Sequence, residues 1–423
     1  MSGQQTRPSL GIRRLWRALG PGITTGAADD DPSGVATYSI AGAQFGTHLL
    51  WLSWLTWPLM GTVQMMCARI GMVTDMGLAG AFRQKFPRWL VGIASLALLI
   101  ANVINIGSDL SGMADAAEML GWGSSHAYVV LFGVGIAIAA IRLRYHMIAS
   151  VLKWLALILF AYIATAFIVK PDWSSVLRVA AIPQWPRSHD AWATIVAILG
   201  TTISPYLFYW QAGQEVEEQT AKGRRLMRHH QQVPDEDIAY RRTDVALGTL
   251  FSNVVMFFII LTTALTLGAH GITQITTTRE AAEALRPLAG NAAYLLYSIG
   301  IIGTGLLAIP TLAGSAAYAF AETFDWAYGL DRKFRQATSF YAVFALAILA
   351  GMSLDFMGIN PIKALFWTAV INGILAPFLM VGVLLVASDR KLMQGQPSSL
   401  VSRISVTIAT VLMFGAAIGL FVF

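Results

Sequence analysis

The stretch Thr24–Ala43, "TTGAADDDPSGVATYSIAGA", places three consecutive carboxylates, Asp29, Asp30 and Asp31, halfway along an otherwise apolar segment. Pro32, Ser33 and Gly34 follow at once. Apolar segments of about 20 residues cross a bilayer as helices. A charge at mid-depth is costly unless it faces a cavity or a partner. Pro32 offers no N–H and crowds the preceding turn, and Gly34 adds backbone freedom. The helix is therefore expected to unwind here and to free the carbonyl of Ala28, which then needs a partner. A cation would supply one. The competing reading is a proline kink whose aspartates are neutral or structurally paired. Against it, no Lys or Arg lies at matching depth in any other expected span.

A second interruption falls in "AILGTTISPYLFYWQAGQEVEE", Ala197–Glu218. Pro205 sits mid-span behind Gly200, Thr201, Thr202 and Ser204, and Gln211, Gln214 and Glu215 follow. If the chain is two five-span halves plus one helix, these two spans correspond. Interrupted spans at corresponding places point to a transport site between inverted repeats. The donors on offer are hard: Asp31, Asp30, the Ala28 and Thr201 carbonyls, the Ser204 hydroxyl and Gln211. With no Met, Cys or His at either break, they suit Mg²⁺, Ca²⁺ or Mn²⁺ better than softer metals.

The rest of the chain fits a polytopic all-α membrane protein. Of 423 residues, 56% are hydrophobic and 12% charged, with a mean hydropathy of +0.60. Soluble domains carry about twice that charge. Eleven spans are expected, roughly at 21–46, 49–74, 89–113, 126–142, 146–169, 191–214, 244–269, 292–321, 337–355, 362–387 and 403–423. Residues 1–20 form a basic N-terminal segment, and 21–423 one transporter domain. Its repeats are 21–169 and 191–387, with 403–423 as an extra helix. With the N-terminus in the cytoplasm, all of the 29 basic residues except Lys170, Arg178, Arg187, Arg279, Arg286 and Lys363 fall inside. That bias obeys the positive-inside rule. It makes "KGRRLMRHHQQ", with His229 and His230, a topology signal rather than a nucleic-acid site. Trp51, Trp54 and Trp57 read as interfacial anchors. The lone Cys67 reads as a small buried residue, since one cysteine forms no intramolecular disulfide. "GIIGTGLLAIP", Gly300–Pro310, reads as close helix packing. No nucleophile–base pair or phosphate loop marks an enzyme, and no cofactor is implied.

At these residues the sequence resembles the Nramp family of divalent metal transporters. "GPGITTGAADDDPSGVATYSIAGAQFGTHLLW" follows that family's first-helix pattern, "IGSDLSGMA" its third helix and "VASDRKLM" the inner end of its tenth. The resemblance implies a LeuT-like fold with two inverted five-helix repeats, broken helices 1 and 6, and an eleventh helix. Three positions depart from the pattern. Where typical members carry Asp-Pro-Gly-Asn, this chain has Asp31-Pro32-Ser33-Gly34, so the Asn ligand is lost. Where they carry Met-Pro-His it has Ser204-Pro205-Tyr206, so the soft Met and the His are lost. The family's further acidic relay positions read Asn102 and Gly112, which leaves Asp109 as relay or as a packing residue beside Asn102 and Asn105. These losses resemble the Nramp-related magnesium transporter branch.

The expectation is a carrier in a bacterial inner membrane that moves a hard divalent cation, Mg²⁺ or Mn²⁺, into the cytoplasm with weak or no proton coupling. Asp31 would carry the principal charge, and Asp30 and Gln211 would hold the ion's waters. The alternatives are a proton-coupled Mn²⁺/Fe²⁺ transporter, and a protein of the same fold that moves a non-metal solute or acts as a sensor. The partners implied are the ion and the lipid bilayer, with no nucleic acid. The sequence leaves the oligomeric state open.

Overall fold

A computed structural model describes residues 21–121, 123–142, 155–186, 188–221 and 232–423. The expected N-terminal segment 1–20, the start of the span 146–169 and the basic run 222–231 with His229 and His230 lie outside the described residues. Among the described residues every regular element is helical.

The first break separates α1 (Pro21–Asp29) from α2 (Pro32–Phe45). The helices α3 (Trp51–Thr74), α4 (Leu78–Lys85), α5 (Arg88–Glu118), α6 (Ser125–Arg142), α7 (Phe160–Val169) and α8 (Trp173–Ala181) follow. The second break separates α9 (His189–Thr202) from α10 (Pro205–Ala221). Then come α11 (Asp235–Thr266), α12 (Ala293–Phe324), α13 (Thr338–Asp355), α14 (Pro361–Ser388) and α15 (Leu400–Val422). Eight helical segments among the described residues are long and apolar enough to cross a membrane, the α9–α10 pair counting as one. The other expected spans are α1–α2, α3 and the segment ending at Val169. Each is shorter or less apolar than such a helix.

Both breaks have one local cause. Pro32 and Pro205 are the first residues of their second half-helices, where a missing N–H costs nothing. Asp31 caps α2, its Oδ1 accepting the Gly34 N–H at 2.7 Å. This corrects one expectation: unwinding is confined to Asp30–Asp31, and Gly34 is helical. Its bare α-carbon lets α2 lie against α9, because a Cβ would stand 3.1 Å from Thr201 Oγ1 and 3.5 Å from Asp31 Oδ1.

Packing fixes the half-helices rigidly. α1 and α2 lie along α11, α9 along α14, and α5 along α12. At the α1–α11 crossing a Cβ on Gly26 would stand 2.2 Å from the Gly248 carbonyl oxygen, so backbone touches backbone. At the α9–α14 crossing a Cβ on Gly200 would stand 2.0 Å from the Ala369 oxygen. Such small-residue crossings are how apolar helices associate within a bilayer. Gly305 meets Met113 of α5 in the same way, as the glycine-rich run implied. Cys67 is buried, and Trp54 is half-exposed with its ring on Phe257.

Helix also occurs between the expected spans. The connection 170–190 contains α8, capped by Asp172. Helix α11 starts at Asp235, ahead of the expected span 244–269, so Arg241 lies within it and is only 8% exposed. Three acidic residues in the first turn, Asp235, Glu236 and Asp237, favour that early start.

Candidate cation site

The two breaks meet in the protein interior. Asp29, Asp30, Asp31 and Asp109 are all buried there. Among the described residues no Lys, Arg or His forms an ion pair with any of them. Buried charge of one sign without a counter-charge is among the most expensive arrangements a fold can hold. In membrane segments it marks function.

The carboxylates divide between two walls. Asp31 faces α5, where Asn105 Nδ2 donates to Asp31 Oδ2 at 3.2 Å and to Asp109 Oδ2 at 2.9 Å. The Asn105 oxygen in turn accepts Asn372 Nδ2 of α14 at 3.0 Å. One carboxamide thus bridges Asp31 and Asp109. Asp29 and Asp30 face α11 instead, where the Ser252 hydroxyl lies 2.6 Å from Asp29 Oδ2 and 3.2 Å from Asp30 Oδ1. A hydroxyl has one proton to donate, so it satisfies one of these carboxylates at a time. Asp29 Oδ1, Asp30 Oδ2 and Asp109 Oδ1 have no hydrogen-bond partner.

The backbone donors are in place but engaged. The Ala28 carbonyl, freed by the break, accepts the Tyr206 hydroxyl at 3.0 Å. The Ser204 hydroxyl lies 2.8 Å from both the Gly200 and the Thr201 carbonyl oxygens and donates its one proton to one of them or shares it between them. A hydroxyl that donates, and a carbonyl that accepts once, each have lone-pair capacity left for a further partner. Gln211 is drawn away from the breaks: its oxygen accepts Thr25 Oγ1 and its amide donates to Glu215, each at 2.8 Å. Asn102 bonds the Leu312 carbonyl and Ser315 of α12, separate from Asp109.

Of the residues expected at the site, the structure brings together Ala28 with Tyr206, Thr201 with Ser204, and Asp31 with Asp109. It turns Asp30 toward α11 and commits Gln211 to an inner network. Among the described residues no three of Asp, Glu, His and Cys converge into a preformed chelate. Sequence reading passed over Ser252 and Asn372. An isolated serine or asparagine in an apolar helix carries no periodic signal.

Paired half-helices around buried carboxylates, inside an all-helical membrane bundle, define a secondary-transporter architecture, and solved structures agree. A manganese transporter from Eremococcus coleocola superposes with a TM-score of 0.74 at 16% identity, over 98% of this chain and 90% of that one. The nucleobase-cation-symport-1 transporter Mhp1 gives a TM-score of 0.58 at 12% identity, over 95% and 92%. MhsT, solved with L-phenylalanine, gives 0.53 at 14%, over 94% and 98%. At these identities the likeness concerns the fold, which is of the LeuT type. Residues 22–423 match the model of the family described as natural resistance-associated macrophage protein-like, and the chain belongs to that family, Nramp, whose members are transporters and not enzymes. Among its relatives is the divalent metal cation transporter MntH of Caldanaerobacter subterraneus subsp. tengcongensis, 26% identical over 90% of this chain and 87% of that one. The MntH of Aeromonas hydrophila is 26% identical over 89% and 88%.

Proposed function

We propose that this protein carries a hard divalent cation, Mg²⁺ or Mn²⁺, through the bacterial inner membrane into the cytoplasm without obligatory proton co-transport. The observation that carries the reading is the set of four buried carboxylates at the breaks with no basic partner among the described residues. Membership in a family whose relatives are named divalent metal transporters supports the charge of the cargo.

Asp31 is the principal ligand, with Asp109 behind the same asparagine. The Ala28 and Thr201 carbonyls and the Ser204 hydroxyl complete an all-oxygen set. Gly34 and Ser204 are small, so the ion keeps part of its water shell, which Mg²⁺ gives up reluctantly. Asp30 and Asp29 supply negative field from the α11 wall. Tyr206 holds the Ala28 carbonyl until the ion arrives. A tyrosine phenol is ordinarily too weak an acid to shuttle protons at neutral pH. The membrane field alone favours entry of two charges by roughly 4–5 kcal/mol per 100 mV, which makes a proton gradient dispensable.

The test is uptake into proteoliposomes under a negative-inside potential, with a pH dye in the lumen and Asp31→Ala as control. Entry of Mg²⁺ and Mn²⁺ without acidification, lost in Asp31→Ala, is the expected result. Mn²⁺ entry with acidification and exclusion of Mg²⁺ would replace this reading with proton-coupled transport. No divalent flux at all would leave a family member that moves another solute or acts as a sensor.

A further inference from the structure

Near the end of the bundle assigned to the outside, α5, α13 and α14 enclose a groove of about 310 Å³. That volume lies at the lower end of the range for ligand pockets. Ile104, Leu354 and Trp367 give it apolar walls, and Ser108 and Thr368 bring hydroxyls. Among the described residues that line it, Lys363 alone is charged. Ser108 Oγ lies 3.3 Å from Thr368 Oγ1, and Asn105 bonds Asn372, so α5 and α14 run antiparallel here. A Cβ on Gly107 would stand 2.7 Å from the Gly351 carbonyl oxygen, so α13 crosses α5 main chain to main chain. Lys363 stands five residues outward of Thr368, and Ile104 four residues inward of Ser108. At 1.5 Å per residue the groove runs about 13–14 Å along the helices.

The charge at the mouth is unanswered within the protein. Every Asp and Glu of the chain lies among the described residues, and none forms an ion pair with Lys363. Asp355, next to Leu354, is occupied elsewhere: one oxygen accepts Ser111 Oγ at 2.8 Å and the other lies 2.6 Å from His126 Nδ1. Lys363 is also one of the six basic residues assigned to the outside. The topology bias that accounts for most of the others does not account for it. Lys363 is exposed and Trp367, one turn along the same face of α14, is 50% exposed, so the groove opens sideways to the bilayer.

We infer that the groove holds one membrane phospholipid of net negative headgroup, its phosphate on Lys363 and an acyl chain beside Trp367 and Ile104. A lone ammonium above an apolar channel matches one anionic group on a long apolar body. A zwitterionic lipid fits less well, because it brings its own cation to the place that Lys363 fills. Lys and Trp side chains near a helix end are the usual interfacial anchors, and here they flank a cavity rather than a smooth surface. The lipid lies along the two helices that carry Asn105, Asp109 and Asn372, on residues that the cation site does not use. The inference needs a bilayer and no particular cargo, so it stands apart from the transport reading.

The experiment titrates the delipidated full chain in detergent with phosphatidylglycerol or phosphatidylcholine of the same acyl chains, read by native mass spectrometry. One phosphatidylglycerol per chain is expected, retained about fivefold over phosphatidylcholine. That ratio is the equivalent of the ~1 kcal/mol that one basic residue contributes beside anionic lipid. Lys363→Gln is expected to abolish the preference. Lys170→Gln, which removes another exposed lysine assigned to the outside, is expected to keep it. Ala364 lines the groove, so Ala364→Phe narrows it and is expected to lose the bound lipid of either kind. Melting temperature reports the folding of each variant independently, and the exposed Lys363→Gln decides the matter if Ala364→Phe does not fold. Equal retention of the two lipids would overturn the inference. So would a preference that survives Lys363→Gln, or one that Lys170→Gln abolishes equally.

Discussion

Gly26→Ala tests whether the position of α1, rather than its side chains, sets the site. The added methyl would stand 2.2 Å from the Gly248 carbonyl oxygen and 2.4 Å from its carbon, both backbone atoms that no rotamer change can move. Ordinary contact begins at 3.4 Å. α1 must therefore retreat by about 1.2 Å, or strain must be absorbed locally at about 1–3 kcal/mol. A retreat of that size takes Asp29 beyond hydrogen-bonding range of Ser252, now 2.6 Å away, and Gly22 beyond that of Asp244, now 2.8 Å away. Each hydrogen bond to a carboxylate contributes about 1.5–3 kcal/mol. Retreat therefore costs about 1.5–3 kcal/mol for each bond lost, and the strained alternative about 1–3 kcal/mol. Melting followed by tryptophan fluorescence, together with cation uptake, measures both consequences. Gly92→Ala and Gly415→Ala are the controls: a Cβ there meets nothing within 4 Å. Each gains up to about 1 kcal/mol of helix propensity. A Gly26→Ala protein with wild-type melting and uptake would refute the argument that backbone contact holds α1.

Two further outcomes are expected. Ser204→Met puts a soft donor at the second break, so the Mn²⁺-to-Mg²⁺ uptake ratio should rise about tenfold, the equivalent of ~1.4 kcal/mol; an unchanged ratio would remove Ser204 from the ion's ligands. Asp389, beyond the end of α14, has its carboxyl held down to about 2 by its hydrogen bond from Lys85, with the Leu392 N–H assisting. Because the folded value lies below the unfolded one near 3.9, this pair stabilises above the unfolded value, and the contribution fades as pH falls through about 2. Lys85→Gln should move the carboxyl upward in a carbon NMR titration, and a value still near 2 would assign the shift to the backbone instead.

What the sequence made legible follows from how far each signal reaches along the chain. Both breaks were visible because Pro32 and Pro205 act on their own turn, and the burial of Asp29–Asp31 followed from where an apolar run placed them. The extent of unwinding was overdrawn. Gly34 looks permissive in a string of letters, yet its need is for space beside Thr201, which only packing reveals. The division of the carboxylates between two walls depends on Ser252, more than 200 positions downstream of Asp30, and on Asn105 and Asn372 meeting across helices. Gln211 looked like a ligand because it follows the break. The structure shows it one helical turn from Glu215, which claims its amide. Arg241 lies between the expected spans 191–214 and 244–269, since its neighbours Tyr240, Arg242 and Thr243 are polar. Of the three carboxylates it meets, Asp244 is a turn away, but Glu215 and Glu218 lie on α10, which the sequence does not place beside it.

The closest crossings of the half-helices, at Gly26 and Gly200, are made by glycine and main chain, whereas the ligands proposed for the ion are side chains and two carbonyls. The two sets share almost no atoms. Position 204 carries a side chain that takes no part in the crossings at Gly26 and Gly200, whereas substitution at those glycines forces the helices apart. Cargo selectivity is in this sense an adjustable attachment to a frame with very little tolerance.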